Sequence, residues 1–463
     1  MNTKHLQHLF LRAGFGIGYD ELKSLTSKTK EKIVKELFLY TKRSTPLEID
    51  LSELETLLKV NYNKSKGKMD AESMMDLKKK SRAKVKELNY AWLERLAYPS
   101  SVLNEKMTLF WANVFVCRDN NIWHIQQYNN TLRKHALGNF REFVKAIAKE
   151  PSMSKYLNNR QNVKKNPNEN FARELMELFT LGIGNYTEND IKESARAFTG
   201  WSFNKKGEYL LRKKKHDYGV KTFMGKTGNF DGETIIDIIL DQKQSARFIC
   251  TKIYRYFVNP IVDENHLEEI TNLFYKDYDI NKLMQYIFNS SWFYDEDNIG
   301  VKIKSPIELL IGIQKTVPIE FEKKKQQLFL QKMMGQILLN PPNVAGWTGD
   351  RNWIDSNTLM FRLNLPSILL NSGVINLDEK GDYKDTYEKY YNRKKSKTKF
   401  FKINASWDDF ENEYGNLSSE ELKRLLIVSK IDFDTDAFLS NLKIESNKEY
   451  CIQLMSLPEY QLC

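Results

Sequence analysis

NPNENFARELMELFTLGIGNYTENDIKESARAFTGWSF, residues 166–203, decides the fold of this chain, because it reads as two helices joined by a tight glycine turn. Pro167 suits the first turn of a helix, where its missing N–H is no loss. A wheel at about 100° per residue puts Phe171, Ala172, Leu175, Leu178 and Phe179 on one side. Glu169, Arg173 and Glu177 line up on the other at i, i+4, i+8. Gly182 and Gly184 end the helix, as residues that tolerate a positive φ do. Thr187 with Asp190 three residues on makes a capping box for the second helix, which Gly200 closes. On this wheel Leu178 is a core residue, and its truncation to Ala is expected to cost about 2–5 kcal/mol.

Working outward, helical periodicity recurs along most of the chain. Toward the N-terminus, residues 8–16 read as a short helix and a glycine turn, with helices near Tyr19 and over 29–40. Leu57 to Lys68 reads as a loop or a frayed helix end. Asp70 to Ala97 is a long helix whose charged DLKKKSRAKVKE stretch is a solvated face, a polyanion contact being the alternative. Ser101 to Val116 is a core helix, residues 126–148 a helix pair broken near Gly138, and Pro151 opens a short helix. From 205 to 230 the pattern becomes basic, with strand-like or irregular structure. Helices then follow over 232–240, 244–257, 264–275, 280–289, 305–315, 323–334 and 356–363, with a rigid loop at 341–347. The fold is expected to be mainly α, a multi-helix globular fold with short irregular or β segments near 205–230. A soft boundary near 366–375 separates a helical core, 1–365, from a helical extension, 366–463, which begins with the basic stretch NRKKSKTKFFK.

The 463 residues carry 41% apolar side chains, with 26 Phe, 23 Tyr and 8 Trp, enough for a sizeable core. No window approaches the apolar run of a membrane helix. Residues 1–20 show no signal peptide, so the chain as given is expected in the cytoplasm. Cys117, Cys250, Cys451 and Cys463 form no CxxC pair and read as reduced packing residues. The formal charge of +11 permits attraction to nucleic acid, anionic glycans or membrane surfaces.

HLFLRAGFG near the start, HALGNFREF at 135–143, the 166–203 stretch, HDYGVKTFMGKTGNFDG, ARFICTKIYRYFV and PPNVAGWTGDRNWIDS follow in order. Together they resemble a bacterial family called domain of unknown function 1800, over about residues 1–365. The resemblance implies no established activity or cofactor. It implies that relatives are often exported, and that a partner resembling alkaline phosphatases and sulfatases is encoded beside them. Members of that family commonly show an FWHNHF-like stretch, whereas this chain has Ala112 and Val114 at the two histidine positions. If those histidines carry chemistry in relatives, this member is altered.

Candidate chemistry gathers on and around the 166–203 stretch. Glu169, Arg173 and Glu177 form either a cleft-lining carboxylate–guanidinium array or a surface ion-pair ladder. Glu174 falls at the polar–apolar border beside Leu178 and Leu181, where desolvation would raise its pKa and suit a general acid. The structural alternative is an acid held by a base such as Arg196. His216-Asp217 lies in a basic glycine loop with Lys221, where a histidine could act as general base, or simply sit exposed. GKTG at 225–228 lacks P-loop spacing, and no zinc motif is present. Asn168, Asn170 and Trp201 offer amides and an indole face suited to sugar rings, although a tryptophan at a GW turn also packs well. Three functions follow: an enzyme using Glu174, Glu177, His216 and Asp217 on an anionic or carbohydrate-like substrate; a binding or scaffold protein for a partner enzyme; and a polyanion or nucleic-acid binder.

Overall fold

A computed structural model of the protein describes residues 1–41, 44–64, 70–371, 375–376, 398–399 and 402–463. The first half is helical: α1 (Thr3–Ala13), α2 (Tyr19–Leu25), α3 (Lys30–Tyr40), α4 (Ser52–Lys64), α5 (Ala71–Ala97), α6 (Val102–Val114), α7 (Ile122–His135), α8 (Phe140–Ala148) and α9 (Pro151–Tyr156). The polar residues before these helices do the capping that their sequence announces. Asp70, Asn121 and Asn139 each accept an N–H from the first turn, at 2.7, 3.2 and 3.2 Å. Helix α4 runs through Lys64, so residues 57–64 of the stretch read as a loop or a frayed helix end are helical, and 65–68 lie outside the described residues.

The 166–203 stretch forms α10 (Asn170–Glu174), a π-helical turn over Leu175–Thr180, α11 (Glu188–Ala197) and β1 (Trp201–Phe203). The Thr187–Asp190 capping box is present in full. The π turn is where the wheel fails. Leu181 N–H and Thr180 Oγ1 both reach back five residues, to Met176 O at 2.9 Å and Leu175 O at 2.6 Å. The wider turn rotates the face that follows it. Met176 and Phe179 become buried at 0% and 1% exposure, while Leu178 moves to the half-buried border.

Two small antiparallel ribbons follow: β1 with β2 (Tyr209–Leu211), and β3 (Lys221–Phe223) with β4 (Lys226–Gly228). They occupy the interval that lacks helical periodicity. Helices α12 (Gly232–Leu240), α13 (Lys243–Phe257), α14 (Glu264–Tyr275), α15 (Ile280–Asn289) and α16 (Pro306–Thr316) come next. After β5 (Ile319–Phe321) and α17 (Lys325–Met333), α18 (Ser356–Leu370) runs on past Pro366.

The remaining elements are β6 (Ile375–Asn376), β7 (Thr398–Lys399), β8 (Ile403–Ala405), α19 (Trp407–Tyr414), α20 (Ser419–Leu426), α21 (Phe433–Asn441) and α22 (Asn447–Met455). Most of the basic stretch 392–402 lies outside the described residues. Strand β8 pairs with β5, Leu462 bridges Ile303, and α22 packs on α18. One apolar cluster runs from Leu6 to Tyr460. The fold is mainly α with short strands, and among the described residues no helix is long and apolar enough to cross a membrane.

Truncating Phe179 or Met176 to Ala is expected to cost about 2–5 kcal/mol, and Leu178→Ala clearly less, because only the first two leave a closed cavity. Denaturant melts of the three variants check the order, and a larger loss at Leu178 would mean that the π turn is absent in solution.

Candidate functional site

Arg173 links the two helices of the 166–203 stretch. It reaches Glu169 at 3.4 Å and Glu177 at 3.6 Å on its own helix, and Glu188 of α11 by two bonds of 3.0 Å. The hydrogen bonds it donates to Glu188 hold the guanidinium well above its usual range. The Tyr186 hydroxyl donates to Glu177, which closes this network. Glu174 stays outside it, without a hydrogen bond or ion pair among the described residues. Burial, and then the charge of Glu177, raises its pKa. Arg196, the base considered for Glu174, is engaged elsewhere.

That engagement is with the His216–Asp217 segment. Arg196 donates to Asp217 at 2.8 Å and to Glu193 at 2.9 Å. Burial would raise the Asp217 carboxyl, but the bonds from Arg196 and from Gly219 N–H outweigh it and hold the group below its usual value. His216 is 3% exposed rather than free in a loop. Its Nδ1 lies 2.7 Å from the Thr199 carbonyl, to which it donates. The Thr199 hydroxyl accepts the Asp217 N–H at 2.7 Å. Lys221, buried at 1% exposure, donates to the carbonyls of Asp217 and Gly219 at 2.8 and 2.9 Å. Gly200 permits this closeness: at φ 78°, a Cβ there would stand 2.8 Å from Arg212 O and 3.0 Å from His216 N.

The neutral candidates are used in packing and turns. Trp201 is 4% exposed and meets Phe198 and Tyr209 edge-on, both at 5.0 Å, so its face is closed to a sugar. Asn168 donates its N–H to the Asn162 side chain at 2.9 Å and accepts the Asn170 N–H at 3.1 Å. His216, Asp217 and Lys221 are therefore brought together. They share no hydrogen bond or ion pair with Glu174 or Glu177.

A second cluster, which sequence reasoning missed, lies between α7 and α9. His124, Gln127, Tyr128 and Thr131 fall at i, i+3, i+4 and i+7 on α7, and so share one face. Glu150, just before α9, is 5% exposed. Its Oε1 accepts the Thr131 hydroxyl at 2.5 Å, and its Oε2 has no partner. Burial pushes this carboxyl up to about 7. Asp119 lies in the α6–α7 loop. It accepts Lys155 Nζ at 2.8 Å, Asn121 N–H at 2.9 Å and Ser152 Oγ at 3.3 Å, with His124 Nδ1 at 3.5 Å. Burial opposes ionisation of Asp119, but the nearby His124 and the hydrogen bond from Lys155 prevail and hold it below its usual value.

The Cys117 thiol at the base of the cluster is pushed well up by burial, and further by the charges of Asp119 and Glu150. Burial raises the Tyr156 hydroxyl, on α9, above its usual value. The β1–β2 turn covers it. Phe203 meets His124 edge-on at 5.2 Å, and a Cβ on Gly207 would stand 2.8 Å from Gln127 Oε1. The sequence signal was a polar stripe at helical spacing on a core helix, which ordinary amphipathicity also explains.

Ala112 and Val114, on α6, flank Asn113. The Asn113 side chain donates to Trp347 O at 2.9 Å and accepts Trp347 N–H at 2.7 Å, so this part of α6 seats the loop at 341–347. Val114 is 5% exposed and Ala112 half-buried. Among the described residues no three His, Cys, Asp or Glu side chains are grouped to hold a metal. All four cysteines are free and buried.

Glu150 gives a pH prediction whose sign is unusual for a carboxyl. Its folded pKa of about 7 lies above the usual carboxyl value of 4.5, so the folded state holds the proton more tightly. Its contribution is fully present below the unfolded value and is lost as pH rises through the folded one, a loss of order 3 kcal/mol. Glu150→Gln is therefore expected to match the wild type near the acid end of that window and to exceed it in stability at pH values above it. Urea melts across the window check this, and parallel pH curves for the two proteins would contradict it.

No curated protein and no solved structure matches the chain. The family model described as "Protein of unknown function (DUF1800)" matches residues 8–462, which extends the similarity well past residue 365. The chain therefore belongs to the DUF1800 family.

Proposed function

We propose that the protein is an enzyme that transfers protons between a buried carboxyl and a histidine, acting on an anionic or carbohydrate-like substrate. The observation that carries this reading is Glu150, a carboxyl closed off from water with one oxygen unpartnered, in the same cluster as the Asp119–His124 pair. A carboxyl with a pKa of about 7 is half-protonated near neutrality, which suits a general acid. His124, with Nδ1 3.5 Å from Asp119, is the second proton-carrying group of this reading. Arg118 and Arg160 are exposed nearby, and Lys155 sits against Asp119, which favours a negatively charged substrate. His216, Asp217 and Lys221 brace the segment that follows the β1–β2 ribbon covering it.

A panel of phosphate esters, sulfate esters and acidic glycosides tests the reading. Glu150→Gln and His124→Gln are each expected to lower kcat/KM by roughly 10²–10⁴-fold, with melting temperatures at or above the wild type for Glu150→Gln. Turnover that survives both substitutions would end the proposal.

A second reading, a binding or scaffold protein for a partner enzyme, is favoured by the saturation of the Arg173–Glu188 and Arg196–Asp217 networks. Under that reading Glu174→Gln leaves partner binding unchanged, and the phosphatase- or sulfatase-like protein that the family resemblance suggests is the partner to try. The polyanion reading rests on the exposed Lys213–Lys215 turn, and retention on heparin and DNA that falls steeply with salt would support it.

A further inference from the structure

The end of α5, strand β5 and the junction of β8 with α19 border an open recess of about 470 Å³. Tyr98, Pro318, Glu320, Asn404, Trp407 and Asp408 line it, and no residue of the α7–α9 cluster does. Its size falls within the range of small-molecule sites, roughly 300–1,000 Å³.

The fold presents these side chains for local reasons. Successive residues of a strand point to opposite faces. Ile319 and Phe321 are each 7% exposed, so Glu320 between them turns outward, beside its cross-strand neighbour Asn404. Phe410 is fully buried and meets the Trp407 indole edge-on at 5.4 Å, which fixes that ring half-buried at the start of α19. Tyr98, which ends α5, is 59% exposed.

The chemistry of the walls is one-sided. Glu320, Asn404 and Asp408 are exposed, and their side chains have no hydrogen bond or ion pair among the described residues. Among the described residues no Lys, Arg or His lines the recess, although the chain as a whole carries a formal charge of +11. The cations beside these elements are engaged. Lys402, just before β8, pairs with Glu322 at 3.8 Å, and Lys448, 5.9 Å from the Trp407 ring centre, pairs with Glu411 at 3.6 Å. Carboxylates only accept hydrogen bonds, an ammonium or guanidinium only donates them, and aromatic faces attract either cation. Two carboxylates and two aromatic rings around one space therefore suit a positive charge on an apolar stem. A neutral or anionic ligand would leave the carboxylates uncompensated.

We propose that this recess binds an organic cation, a primary ammonium or guanidinium carried on an alkyl chain. Glu320 and Asp408 take the charged end, the Asn404 amide oxygen accepts a further N–H, and Tyr98, Trp407 and Pro318 pack against the stem. A small polyamine and a lysine or arginine side chain of a basic peptide share this chemistry. The site is independent of the acid–base centre at α7–α9.

The test is calorimetric titration of the full chain, at constant ionic strength, with spermidine, with a capped tri-lysine peptide and with maltose as a neutral control. Saturable one-site binding of a cation is the expected result. Saturation by spermidine alone identifies a polyamine site, and saturation by the peptide identifies a basic partner segment. Tyr98→Ala and Glu320→Gln change exposed side chains, and each is expected to weaken binding roughly three- to tenfold. Glu72→Gln, which removes the same charge at the opposite end of α5, should leave it unchanged. Absence of saturable cation binding would overturn the proposal. So would equal affinity in Tyr98→Ala and Glu320→Gln, or maltose bound more tightly than either cation.

Discussion

The contact on which the rest of this structure depends is the buried ion pair between Lys106 of α6 and Glu308 of α16, at 2.5 Å. Lys106 Nζ also donates to the carbonyls of Leu11 and Gly14, at 3.3 and 2.7 Å, where α1 ends. Glu308 accepts Lys302 and, as the far end of a capping box, the Ser305 N–H at 2.7 Å. One pair of charges thus ties the start of the chain to its middle, and through Lys302 N–H on Cys463 O to the 460–463 segment. Two charges this deep cannot be left single, so each fixes the other's element in place. A similar buried joint, Glu105 with Arg133 at 2.6 Å, locks α6 against α7.

The hinge of the 166–203 stretch is polar too. The Asn162 side chain donates to Ala195 O at 2.8 Å and accepts Asn168 N–H at 2.9 Å, while its own carbonyl takes Gly200 N–H at 2.9 Å. A loop residue therefore sets the distance between the start of α10 and the end of α11. Gly200 then lets the 212–216 segment lie against that junction, which is why His216 is buried rather than free. The His216 group stabilises the scaffold, and the scaffold holds the β1–β2 turn over α7.

The α7–α9 cluster shows how a titratable centre arises from packing. Glu150 precedes a short helix, and nothing local distinguishes it from an ordinary acidic residue at a helix start. Its carboxyl becomes unusual because the fold excludes water from it, which outweighs the hydrogen bond from Thr131 of α7. Asp119, a similar carboxylate on the same side, stays ionised because Lys155 and His124 reach it. Two carboxylates with opposite titration behaviour come from one contact between helices.

Local signals in the chain determined much of this. Capping residues such as Thr187 and Asp190, the glycines at 182, 184 and 200, and apolar periodicity set most helix limits and the mainly α class, because each acts over a few residues. The interval 205–230 announced its strands by losing that periodicity. Only the tertiary structure decided the π turn at 175–180, which moved Leu178 off the core, and the continuation of α18 through Pro366. It also decided which charges are buried: Glu150, His216 and Lys221 are inside, whereas the run at 76–87 is mostly outside. Burial and the partners of a charge depend on residues far apart in sequence, and pKa follows from both. No local pattern encodes them.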